Sequence, residues 1–370
     1  MIKLVRFTAG TAVLLSLAGA VALGQHYTQT NLVSNASAVA PVTDPDLINP
    51  WGISRSSSSP WWVSDNGTGL ATLYTGAGVK EGLVVTIPPA VTGATGTPTG
   101  TIYNGSATSF LVTGGKSALF LFSTLDGTIV GWNSSAGAVA MVKTTDGSSY
   151  TGLTSAFIGA NLYLYAANFT KGRVDVYDSA FNRVKWSEER FDDDWLPRDY
   201  VPFNVQAIGN DIVVTYALHE KGELHETDGP GRGFVDIFSS DGRLLQRLEH
   251  GKWLNAPWGV ALAPDDFGRY SHDLLIGQFA GGGTTESSGY IAAYDLVSGR
   301  MDGLLEDATG VPLAINGLWA IAPGNTGNNN NAASAPAAEL YFTAGPDNGT
   351  GGLFGYLTAV TTELIKGNDQ

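Results

Sequence analysis

One segment concentrates the side chains that are able to do chemistry. Residues 217–233, ALHEKGELHETDGPGRG, contain two of the chain's five histidines and four carboxylates. The six residues are His219, Glu220, Glu223, His225, Glu226 and Asp228. Histidine nitrogens and carboxylate oxygens suit zinc or a similar divalent ion, and His219 or His225 could serve as a general base. A solvated, charged loop explains the same residues, because the histidine spacing matches no standard zinc motif.

A second group of polar residues occupies turn positions throughout the chain. Turns such as DNG, LDG and PDNG use Asp and Asn to bond the backbone ahead of a glycine. Loops held by a rigid sheet are also where binding sites concentrate, so the same residues are candidate binding residues on one face. The group consists of Asp65, Asn66, Asp126, Asn168, Gln278, Asp347 and Asn348, with Glu220 and Asp228 from the first segment.

A run of three aspartates precedes that segment. Asp192, Asp193 and Asp194 could bind calcium, but no glycine-bearing twelve-residue loop follows them. Arg198 would then either orient an anionic ligand or neutralise these aspartates.

These candidates must be positioned by repeated units. Six segments begin with a large or polar residue followed by a small one or asparagine, at intervals of about fifty residues. The six steps are Trp51-Gly52, Thr99-Gly100, Thr151-Gly152, Phe203-Asn204, Trp258-Gly259 and Trp319-Ala320. Each is followed by short apolar strands separated by turns, with the period of two seen in RVDVYD and FVDIFS. The pattern predicts a six-bladed β-propeller of four-stranded units, with the small residues on innermost strands and the aromatic residues packed between blades.

The last unit stops after its third strand. The segment HYTQTNLVSN, residues 26–35, has strand character and precedes the first complete unit. We therefore expect it to complete the sixth blade and close the ring. A closed ring leaves no long edge for pairing, so we expect a monomer. The stretch 324–338 has low complexity and is typical of a loop.

The ends and the overall composition suggest where the protein acts. Residues 1–24 are typical of a secretory signal peptide, with Lys3 and Arg6 before the apolar run Ala12–Leu23. The propeller is then expected over 25–360, followed by a polar tail at 361–370, with no further membrane segment. These features predict a secreted or periplasmic protein. The net charge of −14 excludes nucleic acid as a favoured partner, and the absence of cysteine excludes disulfides.

Several stretches carry a resemblance to a known family. They include YTQTNLVSN, DPDLINPWGIS, VSDNGTGLATLYTGAG and LYFTAGP, and they sample residues 27 to 357. The chain resembles an uncharacterised family of exported bacterial proteins, some associated with the PEP-CTERM sorting system, and its blades resemble NHL-type repeats. The resemblance implies a propeller and no established activity. The Pro-Glu-Pro motif of that system does not occur, so sorting by that route is not expected.

Two functions fit these features. The first is a binding or scaffold module whose loop-rich face recognises a carbohydrate, a surface polymer, a small molecule or a protein. The second is a metal-assisted hydrolase or lyase, by fold-level analogy with six-bladed lactonases that hold calcium in the channel. Its metal, calcium or zinc, would take ligands from a set such as Asp65, Asn204, Asn316 and Asp347.

Overall fold

The chain forms six β-sheets around a central axis. The structure, a computed structural model, describes residues 24–133, 137–186, 190–279, 288–324 and 337–363. The expected signal peptide, low-complexity stretch and tail lie mostly outside these ranges. Nearly all regular structure within them is β-strand, and we number the sheets blades 1 to 6 in chain order. The prediction of an all-β, six-bladed propeller is confirmed.

The first three blades are antiparallel meanders, and their strands run in order from the innermost outward. Blade 1 consists of Pro50–Ser54, Trp61–Asp65, Leu70–Tyr74 and Val85–Thr86. Blade 2 consists of Pro98–Tyr103, Phe120–Thr124, Thr128–Asn133 and Gly137–Lys143, with a small hairpin of Leu111–Val112 and Lys116–Ser117. Blade 3 consists of Tyr150–Ile158, Asn161–Asn168 and Arg173–Tyr177, with a 3₁₀ turn at Phe169–Lys171.

Blades 4 and 5 follow the same plan, and blade 6 also contains two strands from the N-terminal part of the chain, which pair with each other in parallel. Blade 4 consists of Tyr200–Ile208, Asp211–Leu218, Gly233–Phe238 and Leu244–Arg247. Blade 5 consists of Pro257–Leu262, Leu274–Gln278, Ile291–Tyr294 and Met301–Leu304, with a 3₁₀ turn at Gly268–Tyr270 and the short pair Ser288–Gly289 and Ile315–Asn316. Blade 6 consists of Leu318–Pro323, Leu340–Ala344, Leu353–Ala359, Tyr27–Ser34 and Val42–Thr43, with short helical turns at Pro346–Gly349 and Thr361–Glu363.

Small residues allow the innermost strands to approach one another closely. A Cβ atom added to Gly52 would lie 2.6 Å from the carbonyl oxygen of Thr99 in the next blade. A Cβ atom on Gly259 would lie 2.6 Å from the carbonyl oxygen of Trp319. Both separations are too short for a methyl group, so these positions require glycine. The prediction that the small residues lie on the innermost strands is confirmed.

The N-terminal strand closes the ring. Tyr27–Ser34 pairs antiparallel with Leu353–Ala359, from Tyr27 opposite Ala359 to Ser34 opposite Leu353. The buried Tyr27 hydroxyl also donates a 2.9 Å hydrogen bond to the carbonyl of Phe267 in blade 5. Because both edges of Leu353–Ala359 are thereby paired, the last blade has no open edge at this strand. The predicted closure is confirmed.

Blade 3 departs from the four-strand prediction. After Tyr177 the chain makes a tight turn, in which the Asp178 side chain accepts hydrogen bonds from the backbone N–H groups of Ala180 and Asn182. One isolated bridge, between Tyr177 and Arg183, takes the place of a fourth strand within the described residues. In the segment that follows, Val184 and Trp186 pack against the core between blades 3 and 4, and the Val184 N–H donates a 2.8 Å hydrogen bond to the carbonyl of Val176.

The hydrophobic core lies between neighbouring blades. One cluster joins blades 2 and 3 through Leu121 and Leu164, and another joins blades 3 and 4 through Val176 and Val214. Such interblade packing buries both faces of each sheet, which a single blade cannot do alone. Over the ranges that the structure covers, no helix is long and apolar enough to cross a membrane.

Candidate functional site

A pocket opens at the mouth of the central channel. The turns between second and third strands and the connections between blades meet on one side of the ring, which we call the loop face. The pocket on this face, which we call the loop-face pocket, has a volume of about 690 Å³ and receives residues from all six blades. This volume falls within the range typical of small-molecule sites.

Aromatic rings form the floor of this pocket. They come from five blades: Trp51, Phe169, Phe203, Phe279 and Trp319. Trp51 and Trp319 stack with ring centroids 3.6 Å apart, and Phe279 stacks on Trp319 at 4.1 Å. The Trp51 side chain is only 6% exposed, and its buried Nε1 has no hydrogen-bond partner among the described residues. The floor therefore consists of closely packed aromatic rings.

The same aromatic cluster closes the central channel. A separate cavity of about 300 Å³ lies at the opposite end and is lined by Gly52, Asn204 and Trp258 among others. Trp258 meets Trp51 and Trp319 edge-on, at centroid distances of 5.9 and 5.7 Å, and its Nε1 donates a 2.9 Å hydrogen bond to the carbonyl of Thr151. The prediction that these aromatic residues pack between blades is confirmed, and they also separate the two cavities.

Three of the predicted turn residues line the rim. Asn66 donates from Nδ2 to the carbonyl of Pro98 at 3.1 Å, which fixes its amide. The Asp126 carboxylate accepts hydrogen bonds from the backbone N–H of Ala90 at 2.6 Å and from the Thr124 hydroxyl. Asn348 is exposed and has a left-handed backbone, with φ of 57°. These residues present amide and carboxylate groups above the aromatic floor.

The acidic segment of blade 4 forms one wall. His225, Glu226 and Asp228 line the pocket, with His225 exposed and the two acids partly buried. Burial raises the pKa of Glu226 to about 7. Burial and the neighbouring charge of Glu226 raise the pKa of Asp228 to about 7, against a lowering by Arg232. Near neutral pH both the protonated and the ionised forms of each group are therefore populated, as is common for acid–base residues.

Two predicted site residues are instead internal parts of their blades. Asp65 is fully buried and accepts hydrogen bonds from the N–H and hydroxyl of Thr72, at 3.1 and 2.7 Å. Burial raises its pKa well above the ordinary value. Asn168 is also fully buried and donates to Ser148 and to Asp175, at 2.9 and 2.7 Å. Each lies at the end of the second strand of its blade and hydrogen-bonds neighbouring segments. Neither lines the pocket.

Other predicted residues lie near the pocket without lining it. The His219 ring packs on Phe169 at 4.6 Å, and its Nε2 lies 3.0 Å from the carbonyl oxygen of Glu223. Glu220 and Asp347 are exposed to solvent. Gln278 is buried and accepts from the backbone N–H of Asn255 at 2.9 Å. Of the two predicted histidines, only His225 faces the pocket.

The residues predicted to hold calcium do not meet. Asn204 lines the cavity at the far end of the channel, while Asp65 is buried inside blade 1. Asn316 is exposed in a short strand beside Ser288. Across the residues that the structure describes, no three His, Asp or Glu side chains converge in a way that could hold a metal ion.

One residue of the aspartate run has a structural role, while Asp192 and Asp194 are exposed. Asp193 is 6% exposed, pairs with Arg247 of blade 4 and accepts a hydrogen bond from the backbone N–H of Trp195 at 2.9 Å. Its neutralising partner is thus Arg247 rather than Arg198.

Sequence reasoning missed several pocket residues. Asn49, Ser149 and Thr170 line the pocket, and the Asn49 side chain accepts a 2.9 Å hydrogen bond from Trp319 Nε1. Each lies in a loop next to the end of a strand. Nothing else in the sequence marks these residues as part of a site. Glu226 was recognised only as a member of the charged segment, because its partial burial depends on how that loop folds.

Comparisons with known proteins identify relatives of this chain. No protein-family model matches it. Uncharacterized protein L690 of Acanthamoeba polyphaga mimivirus is 31% identical over 334 residues, which cover 88% of this chain and 84% of the relative. Uncharacterized protein R648 of the same virus is 32% identical over 333 residues, which cover 88% of this chain and 78% of that protein.

Two solved structures share the general architecture at low similarity. A streptogramin B lyase matches with a TM-score of 0.45 and 11% identity, covering 91% of this chain and 98% of that one. Virginiamycin B lyase from Staphylococcus aureus matches with a TM-score of 0.48 and 11% identity, covering 91% of this chain and 100% of that one. Similarity at this level has no bearing on function. The identity shared with the two viral relatives along most of their length does establish kinship: the chain belongs to the family that includes proteins L690 and R648 of Acanthamoeba polyphaga mimivirus.

Proposed function

We propose that this chain is an exported binding module that takes part of a saccharide polymer into the loop-face pocket. The supporting observation is the combination of an aromatic floor with an amide and carboxyl rim in one pocket. The C–H face of a sugar ring packs well on the negative face of an aromatic ring. Its hydroxyls would bond side chains such as Asn66 and Asn348, as polar groups fix a ligand in a largely apolar pocket.

The size of the pocket favours a ring-sized ligand over a folded protein. A stable protein interface buries about 800 Å² on each partner, which is more than a pocket of this size offers. The export part of the proposal comes from the apolar run Ala12–Leu23 after two basic residues, and from the resemblance to exported bacterial proteins. An exported chain would meet surface polymers directly.

The test is a glycan array probed with the mature protein and two variants. Ser149→Trp would fill the pocket while keeping the 2.9 Å backbone bond that the carbonyl of Ser149 accepts from Phe169. Val297→Trp introduces the same side chain in a turn of blade 5, at a residue that is 92% exposed and outside the pocket. We expect Val297→Trp to bind the same saccharides as the wild type and Ser149→Trp to bind none. Equal binding by both variants would contradict the proposal.

A second candidate is acid–base cleavage of the bound polymer. The observation that favours it is the pKa of about 7 for both Glu226 and Asp228, which lets one group act as acid and the other as base near neutral pH. Under this hypothesis Glu226→Gln and Asp228→Asn would each abolish release of soluble fragments from a polymer that the array identifies. Undiminished fragment release by both variants would exclude it.

A further inference from the structure

The ionisable side chains that line the loop-face pocket are mostly acidic. Three carboxyl groups line it, those of Asp126, Glu226 and Asp228, and the described lining includes neither lysine nor arginine. His225 is the only lining residue in that part of the chain able to carry a positive charge. The whole chain adds to this bias, with a formal net charge of −14. An anionic ligand would therefore be repelled from the pocket.

The carboxyl groups stand above rings that attract cations. The faces of aromatic rings are negative, and tryptophan binds a cation most strongly among the aromatic side chains. Among the rings at the floor, Phe279 is half-buried and therefore the most accessible to a cation, whereas Trp51 and Trp319 are nearly buried and stack on each other. In addition, the buried Oδ1 atom of Asp228 has no hydrogen-bond partner among the residues that the structure describes. Asp228 and the rings line the same pocket.

We propose that the ligand of this pocket carries an ammonium group, and that Glu226, Asp228 and the aromatic floor recognise it. The inference rests on the proposed function, because it specifies the saccharide as one bearing positively charged amines. Asp126 contributes a third carboxyl group from blade 2, where two hydrogen bonds fix its position. A neutral sugar would leave the negative charge of Glu226 and Asp228 without a positive partner.

The protonation states of Glu226 and Asp228 support the inference. Glu226 and Asp228 have pKa values of about 7, so each is partly protonated at neutral pH in the empty pocket. The charged groups around them are Asp126, His225 and Arg232, and the Arg232 guanidinium donates a 3.0 Å hydrogen bond to the carbonyl of Asp228. A bound cation would favour the ionised carboxylates and displace protons, about one per ligand in total. A neutral ligand would displace none.

The experiment compares two oligosaccharides of equal length that differ in charge. One is an oligomer of N,N,N-trimethylglucosamine, whose charge is permanent, and the other is the N-acetylglucosamine oligomer. Titration calorimetry at pH 6 and pH 8, in two buffers of different ionisation enthalpy, measures affinity and proton release together. The variants are the double substitution Glu226→Gln and Asp228→Asn, and the control Glu223→Gln, which removes an exposed carboxylate from the same loop outside the pocket.

We expect the trimethylated oligomer to bind at least about ten-fold more tightly than the acetylated one at pH 8. Its affinity should rise about ten-fold from pH 6 to pH 8, since both carboxyl groups ionise over that range. The double variant should lose the preference and the proton release, and Glu223→Gln should keep both. If the two oligomers bind with equal affinity and Ser149→Trp abolishes this binding, the inference is overturned and the proposed function stays intact. Binding that Ser149→Trp leaves unchanged would overturn both.

Discussion

Trp51 of blade 1 and Trp319 of blade 6 stack with ring centroids 3.6 Å apart and planes 20° apart. This contact joins the first and last blades beside the central axis. The Trp319 indole also donates a 2.9 Å hydrogen bond to the side chain of Asn49, directly before blade 1. The same two rings form part of the pocket floor. This contact therefore joins the first and last blades at the axis and also shapes the pocket.

Trp319→Ala should lower the free energy of unfolding by about 3–5 kcal/mol. The substitution removes a side chain that is 2% exposed and leaves the side-chain oxygen of Asn49 without its donor. Urea denaturation followed by circular dichroism measures the change. Trp195→Ala is the matched control, because Trp195 is 85% exposed and its loss should cost less than about 0.5 kcal/mol. A similar loss in the two variants would contradict the assigned role of Trp319.

Removal of residues 24–35 from the mature chain should open the ring. Without Tyr27–Ser34, the strand Leu353–Ala359 loses one partner and presents unpaired N–H and carbonyl groups. We expect a lower melting temperature and self-association through the new edge. Thermal denaturation and size-exclusion chromatography with light scattering measure these effects. A truncated chain that stays monomeric with the melting temperature of the full protein would show that the closing strand is dispensable.

Asp236→Asn should stabilise the protein increasingly as the pH rises. Burial and the charge of Asp193 raise the pKa of Asp236 from 3.8 to about 8, so the native state keeps this carboxyl protonated where the unfolded chain has released the proton. A raised carboxyl pKa therefore lowers stability progressively from about pH 4 to about pH 8. The amide of the Asp236→Asn variant does not titrate and therefore avoids that loss. The variant should gain on the order of 2 kcal/mol in the free energy of unfolding at pH 8.

Chemical denaturation at pH 5 and pH 8 tests this prediction. The control is Asp302→Asn, at an exposed carboxyl on blade 5, which should change stability little at either pH. A gain from Asp236→Asn of the same size at both values would mean that Asp236 is already ionised in the folded protein.

His219→Ala should loosen the acidic loop of blade 4. The His219 ring packs on Phe169, and its Nε2 lies 3.0 Å from the carbonyl oxygen of Glu223. Loss of both contacts should cost about 1 kcal/mol locally and speed tryptic cleavage after Lys221 about five-fold. Mass spectrometry of timed digests measures the rate. His225→Ala removes an exposed ring from the same loop and should leave the rate unchanged; equal acceleration in both would refute the assignment.

Much of the fold was predictable because its signals are local and repeated. The steps Trp51-Gly52 and Trp258-Gly259 mark innermost strands, since only glycine fits where strands of neighbouring blades approach this closely. The strand character of residues 26–35 and the missing fourth strand of the last unit together predicted the closure. Over the described residues blade 3 has three strands, which was not predicted, because a turn held by Asp178 follows its third strand.

The site was predictable only in part, and Asp65 and Asn66 show why. These neighbours belong to one turn, yet Asp65 is sealed inside blade 1 and Asn66 lines the pocket. Adjacent side chains at a strand end point to opposite sides, so a shift of one residue decides between core and cavity. By itself the sequence determined the number of blades, the strands that line the channel and the face that carries the loops. Only the tertiary structure decided which polar groups meet over the aromatic floor, because that depends on contacts between residues from different blades.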